Sequence, residues 1–165
     1  AADEWRSFLA GLAKKNVPDH YFNLYVHVPF CRSKCTYCIY DSARLRSRQD
    51  AAACIEGLVS AARFFSPALS GAEFQNVHVG GGTPSLLDEK LLERLFDAVL
   101  PAFRFSPTAS RIIECNPDSL TPGKAAVMRS RGFNKISLGV QSLSPAVLHL
   151  INRRSQTPGS VRGAV

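Results

Sequence analysis

Three cysteines fall within the segment PFCRSKCTYC: Cys31, Cys35 and Cys38, spaced C-x3-C-x2-C. Such bunching suits metal binding, yet metals held by cysteine usually have four ligands. A structural zinc closes a tetrahedron, and most iron–sulfur clusters take four thiolates. His27 or His78 could complete a zinc site, although His27 lies inside a strand and its spacing matches no common finger. Of the remaining cysteines, Cys54 sits in an apolar, Ala-rich stretch and reads as core. Cys115 follows Glu114 directly, and successive strand residues face opposite ways. If Glu114 faces a site, Cys115 faces the core. Three thiolates then leave one metal position open, as reactive metal sites do.

Three other features could do chemistry. GGGTPS, Gly80 to Ser85, lacks the Gly-Lys-Ser/Thr ending of a P-loop and is not G-x-G-x-x-G. Its glycines let backbone approach a ligand, or they simply make a tight strand-to-helix turn. Glu114 ends an apolar strand, where a carboxylate is costly unless paired. Gln141 follows a short strand and reads as a site residue or a turn cap. Arg153 by itself reads as a surface helix residue.

The elements that must position these residues alternate. Trp5, Phe8, Leu9 and Leu12 fall on one helical face, with Asp3 as the expected cap and an end before Asn16-Val17-Pro18. Strands are expected at Asn23 to Val28, Asn76 to Val79, Arg111 to Cys115 and Lys135 to Val140. Helices are expected at Asp50 to Phe65, after Asp88, from Thr121-Pro122 to Gly132, and from Ser144-Pro145. A βαβαβαβα order after a leading helix argues for a parallel sheet with crossover helices. The cysteines, the Gly-rich stretch, Glu114 and Gln141 each follow or end a strand, so they converge on one edge, where such folds bind ligands. Four βα units make half of a (β/α)8 barrel or part of a doubly wound sheet. A whole barrel takes about 250 residues, so the expectation is the N-terminal half of a truncated barrel, with residues 1–22 as a helical lead-in and 23–165 as the core. The last residues, from Gln156, show no obvious finished element.

The 165 residues suffice for one domain, and 45% hydrophobic and 20% charged content is ordinary for a globular protein. No apolar run approaches a membrane span, and the acidic start AADEW, without an apolar stretch behind it, is not expected to act as a signal peptide. Five cysteines, three of them bunched, make a poor disulfide framework, so a cytoplasmic protein with a metal site is expected. The net charge is +7, with Arg44, Arg46 and Arg48 close together, then Arg129, Arg131 and Lys135, then Arg153 and Arg154. These form a solvated basic surface or attract an acidic partner. No basic stripe interleaved with aromatics supports nucleic-acid binding.

C-x3-C-x2-C with an aromatic before the last Cys resembles the signature of the radical S-adenosylmethionine (SAM) enzymes. That resemblance implies that the missing ligand is SAM itself, chelating the fourth iron of a [4Fe-4S] cluster whose reduction yields a 5′-deoxyadenosyl radical. YVHVPFC (Tyr25 to Cys31), GGGTP (Gly80 to Pro84), ECNPD (Glu114 to Asp118), GFN (Gly132 to Asn134), SLGVQS (Ser137 to Ser142) and Asn152-Arg153-Arg154 occur in that order. Together they resemble the oxygen-independent coproporphyrinogen III oxidase family, which includes haem chaperones and radical SAM methyltransferases. The resemblance implies a partial TIM-type barrel, with Cys31, Cys35 and Cys38 on the cluster. It implies that Tyr25, Gly81, Gly82, Thr83, Glu114, Gln141 and Arg153 line the SAM site, with Tyr37 near the adenine or a second SAM. The implied partners are a tetrapyrrole or haem and an electron donor such as flavodoxin or ferredoxin. A basic pocket would suit the four propionates of coproporphyrinogen.

The chain departs from the family in places. The oxidases carry a further cysteine two residues after the third cluster Cys, where Tyr40 stands; the chaperones have Asp-Phe where Ile39-Tyr40 stand. Asn116-Pro117 and Ser142 lean toward the chaperones, and Asn152-Arg153 leans toward the oxidases. An oxidase-like enzyme is the leading expectation, with a haem chaperone, a methyltransferase of the same family and a zinc-stabilised binding module as rivals.

Overall fold

A computed structural model describes residues 2–14 and 22–165. The expected alternation is present: α1 (Ala2–Lys14), β1 (Phe22–Val28), α2 (Arg48–Phe65), β4 (Phe74–Gly81), α3 (Glu89–Val99), β5 (Phe105–Cys115), α4 (Pro122–Ser130), β6 (Lys135–Leu138) and α5 (Pro145–Leu150). Between β1 and α2 lie two short strands, β2 (Phe30–Cys31) and β3 (Ala43–Arg44), paired with each other.

All four long strands are parallel, in the order β1-β4-β5-β6. Consecutive order without reversal is the arrangement of a barrel arc; a doubly wound sheet reverses at a switch point. Side chains alternate along β1: Val26 and Val28 are buried, Leu24 is half-buried, and Asn23, Tyr25 and His27 point the other way. Val77 and Val79 of β4 and Ile113 and Cys115 of β5 join the buried set. Against them pack Ile55 and Val59 of α2, Leu92, Leu95 and Phe96 of α3, and Met128 of α4. That one-sided core fixes which face of each strand is left for chemistry. The opposite face is unusually polar for a barrel interior, which normally fills with aliphatic layers. It carries Asn23 hydrogen-bonded to Asn76, Tyr25 opposite His78, and Glu114 opposite Ser137.

Caps explain the helix starts. Asp88 accepts from the Leu91 N–H and Thr121 from the Lys124 N–H, as expected. Ser47 caps α2, so that helix begins at Arg48, ahead of the expected Asp50. Several expectations need correction. Asp3 does not cap α1, which begins at Ala2; Asp3 lies inside the first turn, where an acid favours the helix dipole. Trp5 and Phe8 are exposed and stack edge-on with each other, so much of the helix's apolar stripe finds no core. The expected end of α1 before Asn16-Val17-Pro18 lies outside the described residues. The chain's last residues do form an element, α6 (Pro158–Ala164), because Thr157 and Ser160 make a reciprocal capping box.

Strand β5 starts well before Arg111, at Phe105, and β6 stops at Leu138, before the expected Val140. By length and mean hydropathy alone residues 48–69 could cross a membrane, a property that core helices share. Their alanines raise the mean hydropathy without a run of large apolar side chains, and one face of α2 packs in the core.

Candidate functional site at the carboxyl ends of the strands

The site is assembled by backbone before any side chain acts. β4 ends in Gly81, whose φ of +108° disfavours any L side chain. The following amides turn toward the cysteine segment: Gly82 N–H donates to the Val28 carbonyl at 2.8 Å and Thr83 N–H to the Phe30 carbonyl at 2.7 Å. A Cβ on Gly82 would sit 2.5 Å from the Phe30 carbonyl oxygen, so only glycine permits this approach. The cysteine loop is pinned at its base by the β2–β3 pair and by the Leu45 N–H on the Cys31 carbonyl.

The result is a cavity of about 250 Å³. Cys31, Cys35, Cys38 and Tyr37 line it from the loop, Gly81, Gly82 and Thr83 from β4, Glu114 from β5, and Gln141 and Arg153 from beyond β6. The three thiols are half-buried and free. Tyr25 is the one expected site residue that does not line this cavity. Its hydroxyl donates to His27 Nδ1 at 3.0 Å, and its ring meets His78 edge-on. Burial, then the Glu114 and Tyr40 charges, push its phenol upward.

Both histidines weighed as metal ligands are otherwise engaged. His27 Nε2 meets the Asp41 carbonyl at 2.9 Å, which assigns the proton to Nε2 and leaves Nδ1 to accept from Tyr25. His78 Nε2 lies 2.9 Å from Glu114 Oε1. Glu114 Oε2 accepts from the Gly81 N–H at 3.3 Å. The carboxylate expected to be costly is therefore paired. Cys115, on the opposite face of β5, is buried, and desolvation pushes its thiol up to about 12. Cys54 packs half-buried against the core, and burial raises its thiol too.

A polar relay underlies the cavity. Arg153, 8% exposed, donates to Asn116 Oδ1 at 2.6 Å and to the Gly139 carbonyl at 2.8 Å. Asn116 Nδ2 donates to Thr83 Oγ1 at 3.0 Å, and that hydroxyl points at Cys31 Sγ, 3.7 Å away. Such contacts orient a ligating sulfur and tune what it holds. Burial raises the Tyr37 phenol, against the opposing pull of Arg153. Gln141 adopts a left-handed φ of +61°, and buried Gln156 fixes that turn by donating to the carbonyls of Val140 and Ser142. The linear sequence assigns Asn116 no role beyond its motif and Gln156 none at all. Nothing local singles Gln156 out between Ser155 and Thr157, and the partners of both residues lie 14 to 37 positions away.

Among the described residues, no three His, Cys, Asp or Glu side chains converge on the geometry of a single ion. Three thiols spread around a cavity suit a larger inorganic group better than a closed zinc tetrahedron.

A profile of the Radical SAM superfamily matches residues 25–164. The chain is 37% identical over 163 residues to a protein named heme chaperone HemW from Mycobacterium tuberculosis, covering 94% of this chain and 40% of that protein. It is 30% identical over 148 residues to the oxygen-independent coproporphyrinogen III oxidase of Escherichia coli, covering 90% of this chain and 32% of that one. The solved structure of coproporphyrinogen III oxidase from E. coli superposes with a TM-score of 0.82 at 29% identity, over 94% of this chain and 35% of that one. The chain thus spans about a third to two-fifths of the length of these relatives.

Proposed function

Starting from a chain that belongs to the radical SAM superfamily, we propose that it is the cluster-bearing portion of a protein that cleaves SAM reductively in tetrapyrrole metabolism. One observation carries this reading: the three free cysteines meet Gly81 to Thr83, Glu114, Gln141 and Arg153 around one cavity at the carboxyl ends of parallel strands. Cys31, Cys35 and Cys38 would hold a [4Fe-4S] cluster, which when bound supplies the electron for SAM cleavage. Residues 23–165 would form the core, with the leading helix as an accessory.

This chain's own residues have distinct tasks. Thr83 Oγ1 donates toward Cys31 Sγ and so stabilises a thiolate there. Glu114, held by His78 and the Gly81 amide, presents an acceptor to an ammonium. Arg153, held by Asn116 and the Gly139 carbonyl, presents a cation to a carboxylate. A carboxylate and a guanidinium lining one cavity fit an amino acid's zwitterion, the methionyl end of SAM. The polar concave face beyond, with Asn23, Asn76 and Tyr25, would receive a polar substrate, and the net charge of +7 suits one bearing carboxylates.

Oxidase-like turnover of a porphyrinogen is supported by the match to the E. coli enzyme structure. Haem delivery is the second reading, favoured by the 37% identity to the mycobacterial chaperone. Anaerobic reconstitution, with iron and sulfide counts and an assay for 5′-deoxyadenosine, tests the first step. About four irons per chain with SAM cleavage support the proposal, and Cys35→Ala should abolish both. Full iron and sulfide in that variant would sink the ligand assignment. Porphyrinogen turnover against stoichiometric haem binding then separates oxidase from chaperone.

A further inference from the structure

The cysteine loop, residues 32–42, contains no helix or strand, yet ligands held by a loop must be placed to within fractions of an ångström. Hydrogen bonds from a segment well over a hundred residues later restrain it. Asn152 Nδ2 donates to the Lys34 carbonyl at 2.8 Å. Ser33 Oγ donates to the Asn152 carbonyl at 3.0 Å. The Thr36 N–H donates to the Ile151 carbonyl at 3.3 Å. These three contacts fall on the residues between the cysteines, two before Cys35 and one after it.

Backbone geometry makes the contacts possible. Asn152 has a φ of +59°, a left-handed conformation that asparagine tolerates better than most side chains. The turn closes α5 by its own bonds, Asn152 N–H to the His149 carbonyl and Arg153 N–H to the Leu148 carbonyl. Both the carbonyl and the carboxamide of Asn152 are thereby free to face the loop. The very next residue, Arg153, crosses beneath the loop to Asn116 and the Gly139 carbonyl. One short segment therefore grips the cysteine loop on one side and the ends of β5 and β6 on the other.

We propose that the Ile151–Asn152 turn is a clamp that sets the cysteine loop, with Asn152 as a positioning residue, and that it couples a carboxylate bound at Arg153 to the order of that loop. The proposal rests on the reading of Cys31, Cys35 and Cys38 as cluster ligands and names the device that holds them. It gives the asparagine of the Asn-Arg pair a task separate from that of its arginine.

Hydrogen exchange read by mass spectrometry on the full 165-residue apoprotein tests the clamp without any cluster. Asn152→Gly keeps the left-handed backbone and removes only the carboxamide. Ser33→Ala removes a contact from the other side of the interface. Each should raise exchange at residues 33–36 about fivefold, the worth of one net hydrogen bond, while exchange in β4 and β5 stays at the wild-type level. Unchanged exchange in the loop, or a rise spread through the whole chain, overturns the clamp. After anaerobic reconstitution, both variants should take up wild-type iron but surrender it to a chelator several-fold faster, and SAM should slow that loss less than in wild type. Equal rates of loss without SAM overturn the clamp's hold on the cluster ligands, and an equal slowing by SAM in variants and wild type overturns the coupling. A wild-type chain that takes up no iron and sulfide instead sinks the cluster reading, and the exchange data on the apoprotein still decide whether the clamp exists.

Discussion

Replacing Gly82 by alanine should cost far more than a methyl group ordinarily does. The new Cβ would stand 2.5 Å from the Phe30 carbonyl oxygen, 2.7 Å from its carbon and 2.8 Å from its nitrogen. All three are backbone atoms of β2, so no side chain can swing aside. The segments must part, which threatens the Gly82 N–H bond to Val28 and the Thr83 N–H bond to Phe30. Overpacking costs about 1–3 kcal/mol, and two net hydrogen bonds about 1 kcal/mol each. The expected loss is therefore about 3 kcal/mol or more, a large share of a domain's usual stability of about 5–15 kcal/mol. With a urea slope of about 2 kcal/mol/M, the midpoint should fall by about 1.5 M. Gly57 supplies the control. It lies in α2, and a methyl added there would meet nothing within 4 Å, so Gly57→Ala should stabilise the helix. That gain is about 0.5–1 kcal/mol, or a midpoint raised by a few tenths of a molar. Urea unfolding of both variants, followed by circular dichroism, gives the comparison. A Gly82→Ala midpoint within about 0.3 M of wild type would refute the reasoning, because the strand end and the loop could then separate without cost.

Three further outcomes are expected. In the folded apoprotein at pH 8, Cys115 should resist iodoacetamide while Cys31, Cys35 and Cys38 react, because its thiol is buried and raised to about 12; labelling of Cys115 at the rate of the loop cysteines, read by peptide mass, would contradict its placement. Asp88 has its carboxyl held low: burial opposes this, but the Leu91 N–H and Arg48 outweigh it. A depressed folded pKa stabilises above the unfolded value of about 3.9 and loses that contribution as pH falls through the folded one, so the stability gap between wild type and Asp88→Asn should shrink on acidification from pH 6 to pH 3; a constant gap in urea melts would argue against it. His78→Leu removes one of the two partners of Glu114, and SAM affinity of the reconstituted protein, measured by calorimetry, should drop about fivefold; an unchanged Kd would show that the Gly81 amide alone positions that carboxylate.

Much of the molecule was legible in the order of residues. Local signals act over a few positions, and those are the ones a linear reading captures. Asp88 and Thr121 announced their helices because a cap needs only its own oxygen and an amide three residues on. The spacing of the cysteines, the Gly-rich stretch and the opposite facing of Glu114 and Cys115 followed from strand geometry. Parallel alternation placed most of the expected site residues on one edge. Tertiary structure decided everything that depends on which distant groups meet. It gave both histidines partners of their own, engaged Tyr25 with His27 and His78 beside the cavity, and put Asn116, Gln156 and Asn152 to work across gaps of up to 119 residues. It also gave the terminal residues a helix through a capping box. Hydrophobic periodicity specifies which face a residue shares; only the packed sheet specifies what stands opposite it.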